Sequence, residues 1–343
     1  MPRRFPEHLP QRVGVKEARK VLMSRLWLEG CVLFLFFSHA GLVFSQELEK
    51  AVIAHTSESI SIAPLIYGIE KGFYRREGID LEFRILRTDL TVAALVSTKE
   101  VNYMYAAGTG FRAAVRGIPL KIVAWGFKDI LFYLMAQPTI QSGKDLKGKK
   151  IAVSSPSDTG GLAAKASVKA FGLDPDKDVV YIAIGAASVR MAAMEGRSVE
   201  AAIMPVPWNI RLKQKGFKEL LFAGNVLREP LTGIVTSADT LERNPRQVGK
   251  VLRGFLNSLR AFRREKKEAT GLIGRRFNVD PQVADEVYGI ALQTLSEDGT
   301  VSQEVLQELL ERVKRETGVK KQIAVADIVD YRILREVTRE LEK

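Results

Sequence analysis

Twice along this chain a short apolar run passes through a hydroxyl-rich segment into an apolar pattern of helical period. That recurrence confines the chain to an α/β fold in which strands feed helices. In the first copy Val52-Ile53-Ala54 is the strand and His55 to Ser61 the polar segment. Ile62, Leu65, Ile66, Ile69 and Phe73 then share one helical face, with Pro64 suited to the first turn and Gly72 to the end. After Gly78, Ile79, Leu81 and Phe83 alternate with Asp80 and Glu82, the pattern of a half-buried strand. In the second copy Lys149 and Lys150 lead into Ile151-Ala152-Val153, Ser154 to Gly161 is the polar segment, and a helix is predicted from Leu162 to Phe171, ended by Gly172.

Both polar segments fall where the carboxyl end of a strand meets a helix N-terminus, the place where open α/β sheets bind ligands. Their hydroxyls suit helix capping, and their N–H groups suit an anionic or hydrogen-bond-accepting ligand. Gly160 and Gly161 permit close backbone approach, but the Gly-Lys-Ser/Thr ending of a phosphate-binding loop is missing. A weaker echo runs in parallel. Ala93-Ala94-Leu95 through Glu100 to Met104, with Gly117 beyond, resembles Ala192-Ala193-Met194 through Ser198 to Ala202, with Gly216 beyond. Each copy predicts helix, turn, strand, then a loop: Tyr105 to Thr109 in one, Met204 to Trp208 in the other. Two lobes with loops at equivalent strand ends can face each other across a cleft.

Composition narrows the chemistry. Met23-Ser24-Arg25, the apolar stretch Cys31 to Phe37 and Gly41 to Phe44, and Val43-Phe44-Ser45 before Gln46 form a secretory signal pattern. A spanning anchor needs about 20 apolar residues, and this run is broken by Ser38, His39 and Gly41. Residues 1–45 therefore read as a signal peptide with an extra N-terminal segment, Met23 being the expected start. Cleavage leaves no Cys and a single histidine, His55, so thiolate chemistry and histidine pairs are nearly excluded. Export without disulfides is consistent with a chain long enough to bury an adequate core. The remainder carries 52 − 7 = 45 Lys and Arg against 40 − 3 = 37 Asp and Glu, or +8, spread over helices as solvated faces rather than gathered for nucleic acid.

Pro64 to Gly78 (PLIYGIEKGFYRREG), Lys144 to Val153 (KDLKGKKIAV), Gly172-Leu173-Asp174-Pro175 and the two echoes resemble the periplasmic solute-binding proteins for nitrate, sulfonate, taurine or thiamine-precursor pyrimidines. The resemblance extends from about Ala51 to Leu341, and order and spacing carry it rather than any one motif. It implies a type II periplasmic binding protein: two α/β lobes joined by a two-segment hinge, exported to the periplasm or another extracytoplasmic space. Such a protein delivers a small-molecule ligand to the permease subunits of an ATP-binding-cassette (ABC) importer, as a monomer and without a cofactor. Asn102 and Glu200 stand where the family usually has Asp, a departure expected to bear on turn and strand support more than on ligand choice.

The expected organisation is a discontinuous first lobe, residues 46–138 and 231–343, and a second lobe, residues 139–230. Hinges are expected near Ala136 to Ser142 and Arg228 to Gly233, with Leu231 to Thr236 a strand leading out of the second lobe. A long amphipathic helix follows, with Val248, Val251, Leu252, Phe255, Leu256, Leu259 and Phe262 inward, then helices near Pro281 to Leu295, Gln303 to Thr317 and Asp327 to Leu341. Matching loop positions nominate Ser57, Ser59, Gly108 and Thr109 from the first lobe and Ser155, Thr159, Gly160 and Trp208 from the second. Trp208 either stacks on a flat ligand or closes the pocket, whereas Trp125 reads as core. By the family pattern Arg190 lies near the cleft, either pairing with a sulfonate or carboxylate or pointing to solvent. Glu58 argues against a small, strongly anionic ligand if it faces the pocket. Two rival functions share the fold. One is a pyrimidine-precursor biosynthetic enzyme, which by resemblance needs a histidine and cysteines; the other is an extracytoplasmic ligand sensor.

Overall fold

A computed structural model describes residues 47–343; the expected leader lies outside the described residues. Strand β1 (Glu49–His55) is buried along its second half and leads through a 3₁₀ turn (Ile60–Ile62) into α1 (Ala63–Glu70), whose first turn holds Pro64. There follow β2 (Ile79–Ile85), β3 (Tyr103–Met104), α2 (Ala107–Val115), β4 (Leu120–Trp125), β5 (Phe132–Ala136) and β6 (Lys150–Val153). Next come α3 (Thr159–Ala170), β7 (Val180–Ala183), α4 (Ala187–Glu195), β8 (Ala201–Pro205), α5 (Trp208–Gln214), β9 (Lys218–Phe222) and β10 (Gly233–Ser237). After a short helix at Ala238–Arg243 come five longer ones: α6 (Pro245–Arg264), α7 (Lys266–Phe277), α8 (Pro281–Thr294), α9 (Gln303–Thr317) and α10 (Arg332–Leu341). Among the described residues no helix is long and apolar enough to cross a membrane.

The strands form two five-stranded sheets, β2-β1-β3-β10-β4 and β7-β6-β8-β5-β9. β1 pairs in parallel with β2 from Glu49↔Ile79 to His55↔Ile85, and β6 pairs in parallel with β7 and β8. In each sheet the fourth strand is antiparallel to its neighbours. Each of these fourth strands adjoins a crossover: β5 follows the passage out of the first sheet, and β10 follows the passage back. The expected boundary at residue 139 therefore falls too late, because β5 hydrogen-bonds to β8 and β9. Ala136 to Ser142, expected as a hinge, instead lies between β5 and β6, two strands of the second sheet. The crossovers are Gly126–Leu131 and Ala223–Thr232, laced together by Gly126 N–H to Thr232 O at 2.7 Å and Leu231 N–H to Phe127 O at 3.0 Å.

The internal echo has a structural counterpart. Asn102 Oδ1 accepts from the Val52 N–H of β1 at 2.7 Å, and Glu200 Oε2 accepts from the Lys150 N–H of β6 at 2.9 Å. Three residues before each, Lys99 and Arg197 adopt left-handed φ of 57° and 54°. Both side chains thus tie the start of a parallel strand to its neighbour, which is strand support rather than ligand contact.

Helix α6 buries Val248, Val251, Leu252, Phe255, Leu256, Leu259 and Phe262, as its period requires, and packs on α1 and α10. α10 begins at Arg332 rather than near Asp327, because residues 325–327 form a 3₁₀ turn and Val329 bridges to Ile122 of β4. α3 begins at Thr159, three residues before the predicted start. Asp158 caps it by accepting the Gly161 N–H at 2.9 Å, which draws both glycines into the first turn.

Candidate functional site

The carboxyl ends of β1, β3, β6 and β8 converge on a cavity of about 30 Å³ between the sheets. Ser57 and Ser59 line it from the loop after β1, Thr109 from the first turn of α2, and Thr159 and Gly160 from the start of α3. Five of the eight nominated residues are thereby brought together. The hydroxyls of Ser59 and Ser61 bond each other at 2.7 Å. The Ser57 Oγ and Thr159 Oγ1 are buried without a hydrogen-bond partner among the described residues.

The other three nominees have different surroundings. Ser155 borders an outer groove, its Oγ 3.1 Å from that of Ser157. Gly108 donates its N–H to Leu231 O at 3.0 Å, and a Cβ there would lie 2.8 Å from Pro230 O, so it supports a close approach of the second crossover. Trp208 is 9% exposed, packs with Met135, Met204 and Leu212, and donates from Nε1 to Glu58 O at 2.9 Å. It closes the gap between the β1 and β8 loops rather than lining the cavity. The Ile60 N–H to Val206 O bond, 2.8 Å, closes the same seam. Trp125 is fully buried in the core.

Two ionisable groups from the second sheet and one from the first complete the lining. Arg190, on α4, is 0% exposed. Its Nε donates to Ile203 O at 3.1 Å and its Nη1 to Gly185 O, but Nη2 is buried with no partner among the described residues. Burial lowers this guanidinium to about 10, opposed by the nearby charge of Asp158, so it stays protonated at neutral pH. Burial raises the Asp158 carboxyl, against hydrogen bonds from Ser154 and the Gly161 N–H. His55 is lowered to about 4 by burial and is neutral at pH 7. Glu58 turns away, pairing with Arg276 of α7 at 2.9 Å, so it raises no objection to an anionic ligand.

Sequence reasoning missed Asp158, whose signal was its position before a helical glycine pair, and the contribution of Leu231 and Thr232, which the second crossover carries to the cavity. Arg190 was noticed without its orientation, because one of its carbonyl partners, Ile203 O, belongs to β8. Among the described residues no cluster of three or more His, Cys, Asp or Glu is placed to hold a metal ion. The arrangement offers unpaired donors in an enclosed space, which suits capture of a hydrogen-bond-accepting molecule.

The NMT1/THI5-like family matches residues 59–269. No curated protein matches the chain in sequence. A protein of Bordetella bronchiseptica RB50 superposes with a TM-score of 0.75 at 17% identity, over 87% of this chain and 99% of its own. The periplasmic nitrate-binding protein of Synechocystis PCC 6803 follows at 0.69 and 17%, over 86% and 90%. The alkanesulfonate-binding protein of Xanthomonas axonopodis pv. citri, solved with MOPS bound, gives 0.68 and 15%, over 83% and 99%. These likenesses establish the type II periplasmic binding protein fold.

Proposed function

From the premise that this chain belongs to the NMT1/THI5-like family, we propose that it is the substrate-binding component of an ABC importer, capturing a small organic or oxyanion ligand between two hinged lobes. One observation carries the reading: the buried, unpaired donors of Ser57, Thr159 and Arg190 come from both sheets and meet in one cavity. Each donor left without a partner costs about 1–3 kcal/mol. A ligand accepting from all three restores those bonds only when the sheets are together, so it shifts the population towards the closed form by that differential energy.

The two laced crossovers serve as the hinge, and the contacts of Trp208 with Glu58 and of Ile60 with Val206 form the seam that opens. The closed surface is what permease subunits recognise, and the predicted leader exports the protein to meet them. The named functions of the nitrate- and alkanesulfonate-binding structures support this direction. In this reading the site makes and breaks no bond, and His55 is neutral and buried in its lining. The purified protein should show a raised melting temperature with at least one member of a panel of nitrate, sulfonates, organic acids and pyrimidines. Small-angle scattering with that ligand should report compaction. If no compound stabilises the protein or closes it, the binding role is refuted.

A further inference from the structure

The inner cavity is small, with room for about two water-sized groups. It does not end blindly. Thr56, Thr109, Ser154 and Asp158 also line a groove of about 1050 Å³ that runs outward between the sheets. The groove wall has apolar side chains on both sides, Ile85, Leu86 and Ile118 from the first lobe and Ile184 and Val189 from the second, with Arg87, Arg112 and Arg116 also along it. Seven large apolar side chains are exposed among the described residues, and three of them, Ile85 at 39%, Ile118 at 37% and Val189 at 53%, line this one groove. Exposed apolar surface gathered in this way marks a binding site.

The inner end is where the buried, unpaired donors gather. Arg190 Nη2, Ser57 Oγ and Thr159 Oγ1 supply convergent donors, and the N-terminus of the twelve-residue α3 points positive partial charge at the same space. Asp158 balances Arg190 in charge, yet it accepts from the Gly161 N–H, leaving the Nη2 donor free for a ligand. Space for two oxygens bounded by several donors suits a planar carboxylate better than a bulkier tetrahedral group.

Resting on the binding role proposed above, we infer that the ligand is an organic monocarboxylate with an apolar body, its head held by Arg190, Ser57 and Thr159 and its body lying along the groove of Ile85, Ile118 and Val189. Calorimetric titration of the purified full chain tests it with straight-chain acids of increasing length, alkanesulfonates of matched length, and nitrate. Carboxylate affinity should rise about fourfold per added methylene until the groove is full, and each acid should bind more tightly than its matched sulfonate. Val189→Asn, at an exposed position that keeps the fold, should flatten the length dependence. Val180→Asn, equally exposed but outside the groove, should not. The inference is overturned by affinity independent of chain length, by sulfonates binding more tightly than acids of every length, or by an unchanged slope in Val189→Asn. Tight nitrate binding with no length effect would overturn it while leaving the capture role intact. Absence of binding or closure with these classes and with the pyrimidines of the wider panel would instead remove the capture role itself.

Discussion

Gly108→Ala separates closure from stability. An added Cβ would lie 2.8 Å from the backbone oxygen of Pro230, 3.1 Å from Thr159 Oγ1 and 3.4 Å from Leu231 O. The first belongs to the second crossover and the second to the opposite lobe, so the strain falls on the closed arrangement. Overpacking of this kind costs about 1–3 kcal/mol, which as lost closure is about a five- to 150-fold loss of ligand affinity. Gly110→Ala is the control. Its Cβ would meet Val235 side-chain atoms at 2.9 and 3.1 Å within the first sheet, so its cost should appear in stability alone. Trp208 fluorescence provides the assay, since its indole donates across the seam while Trp125 stays buried in the core. The best ligand of the panel is titrated into both variants, and melting temperatures are recorded without ligand. Unchanged ligand affinity in Gly108→Ala, or an equal loss in Gly110→Ala, would refute the assignment of Gly108 to closure.

Other perturbations probe the surrounding frame. His55 is held near 4 against an ordinary 6.5, so the unfolded chain binds the extra proton between those values. Its stabilising effect is complete above pH 6.5 and lost as pH falls towards 4, by roughly 3 kcal/mol; urea denaturation of His55→Gln at pH 7.5 and 4.5 should show a smaller difference than the unmodified protein. Glu229 is buried between Arg112 and Arg312, the latter 2.8 Å away. Glu229→Ala leaves the buried Arg112 guanidinium without its carboxylate and should cost about 3–5 kcal/mol in a denaturant titration. Asn102→Ala and Glu200→Ala each remove one acceptor from a strand N–H and should each cost about 1 kcal/mol, without altering ligand affinity.

The chain's local grammar was legible before any coordinates. Helical spacing from Ile62 to Phe73 and along α6, alternation in β2, and the paired polar segments after β1 and β6 all arise from contacts a few residues apart, which periodicity records directly. Those segments, with the echo loop after β3, already pointed to Ser57, Ser59, Thr109, Thr159 and Gly160 as neighbours at strand tips. The sheet to which β5 belongs was not legible, because an isolated strand of five residues carries no label for its partner, and β8 and β9 lie far along the chain. Nor was the direction of three side chains. Glu58 reaches Arg276, Trp208 reaches the Glu58 carbonyl, and Arg190 spans from Gly185 to Ile203. A donor or acceptor selects its partner only after the chain has folded back on itself. Sequence by itself determined the elements and the tips that would meet; tertiary structure alone decided which buried donors were left unpaired in the space between them.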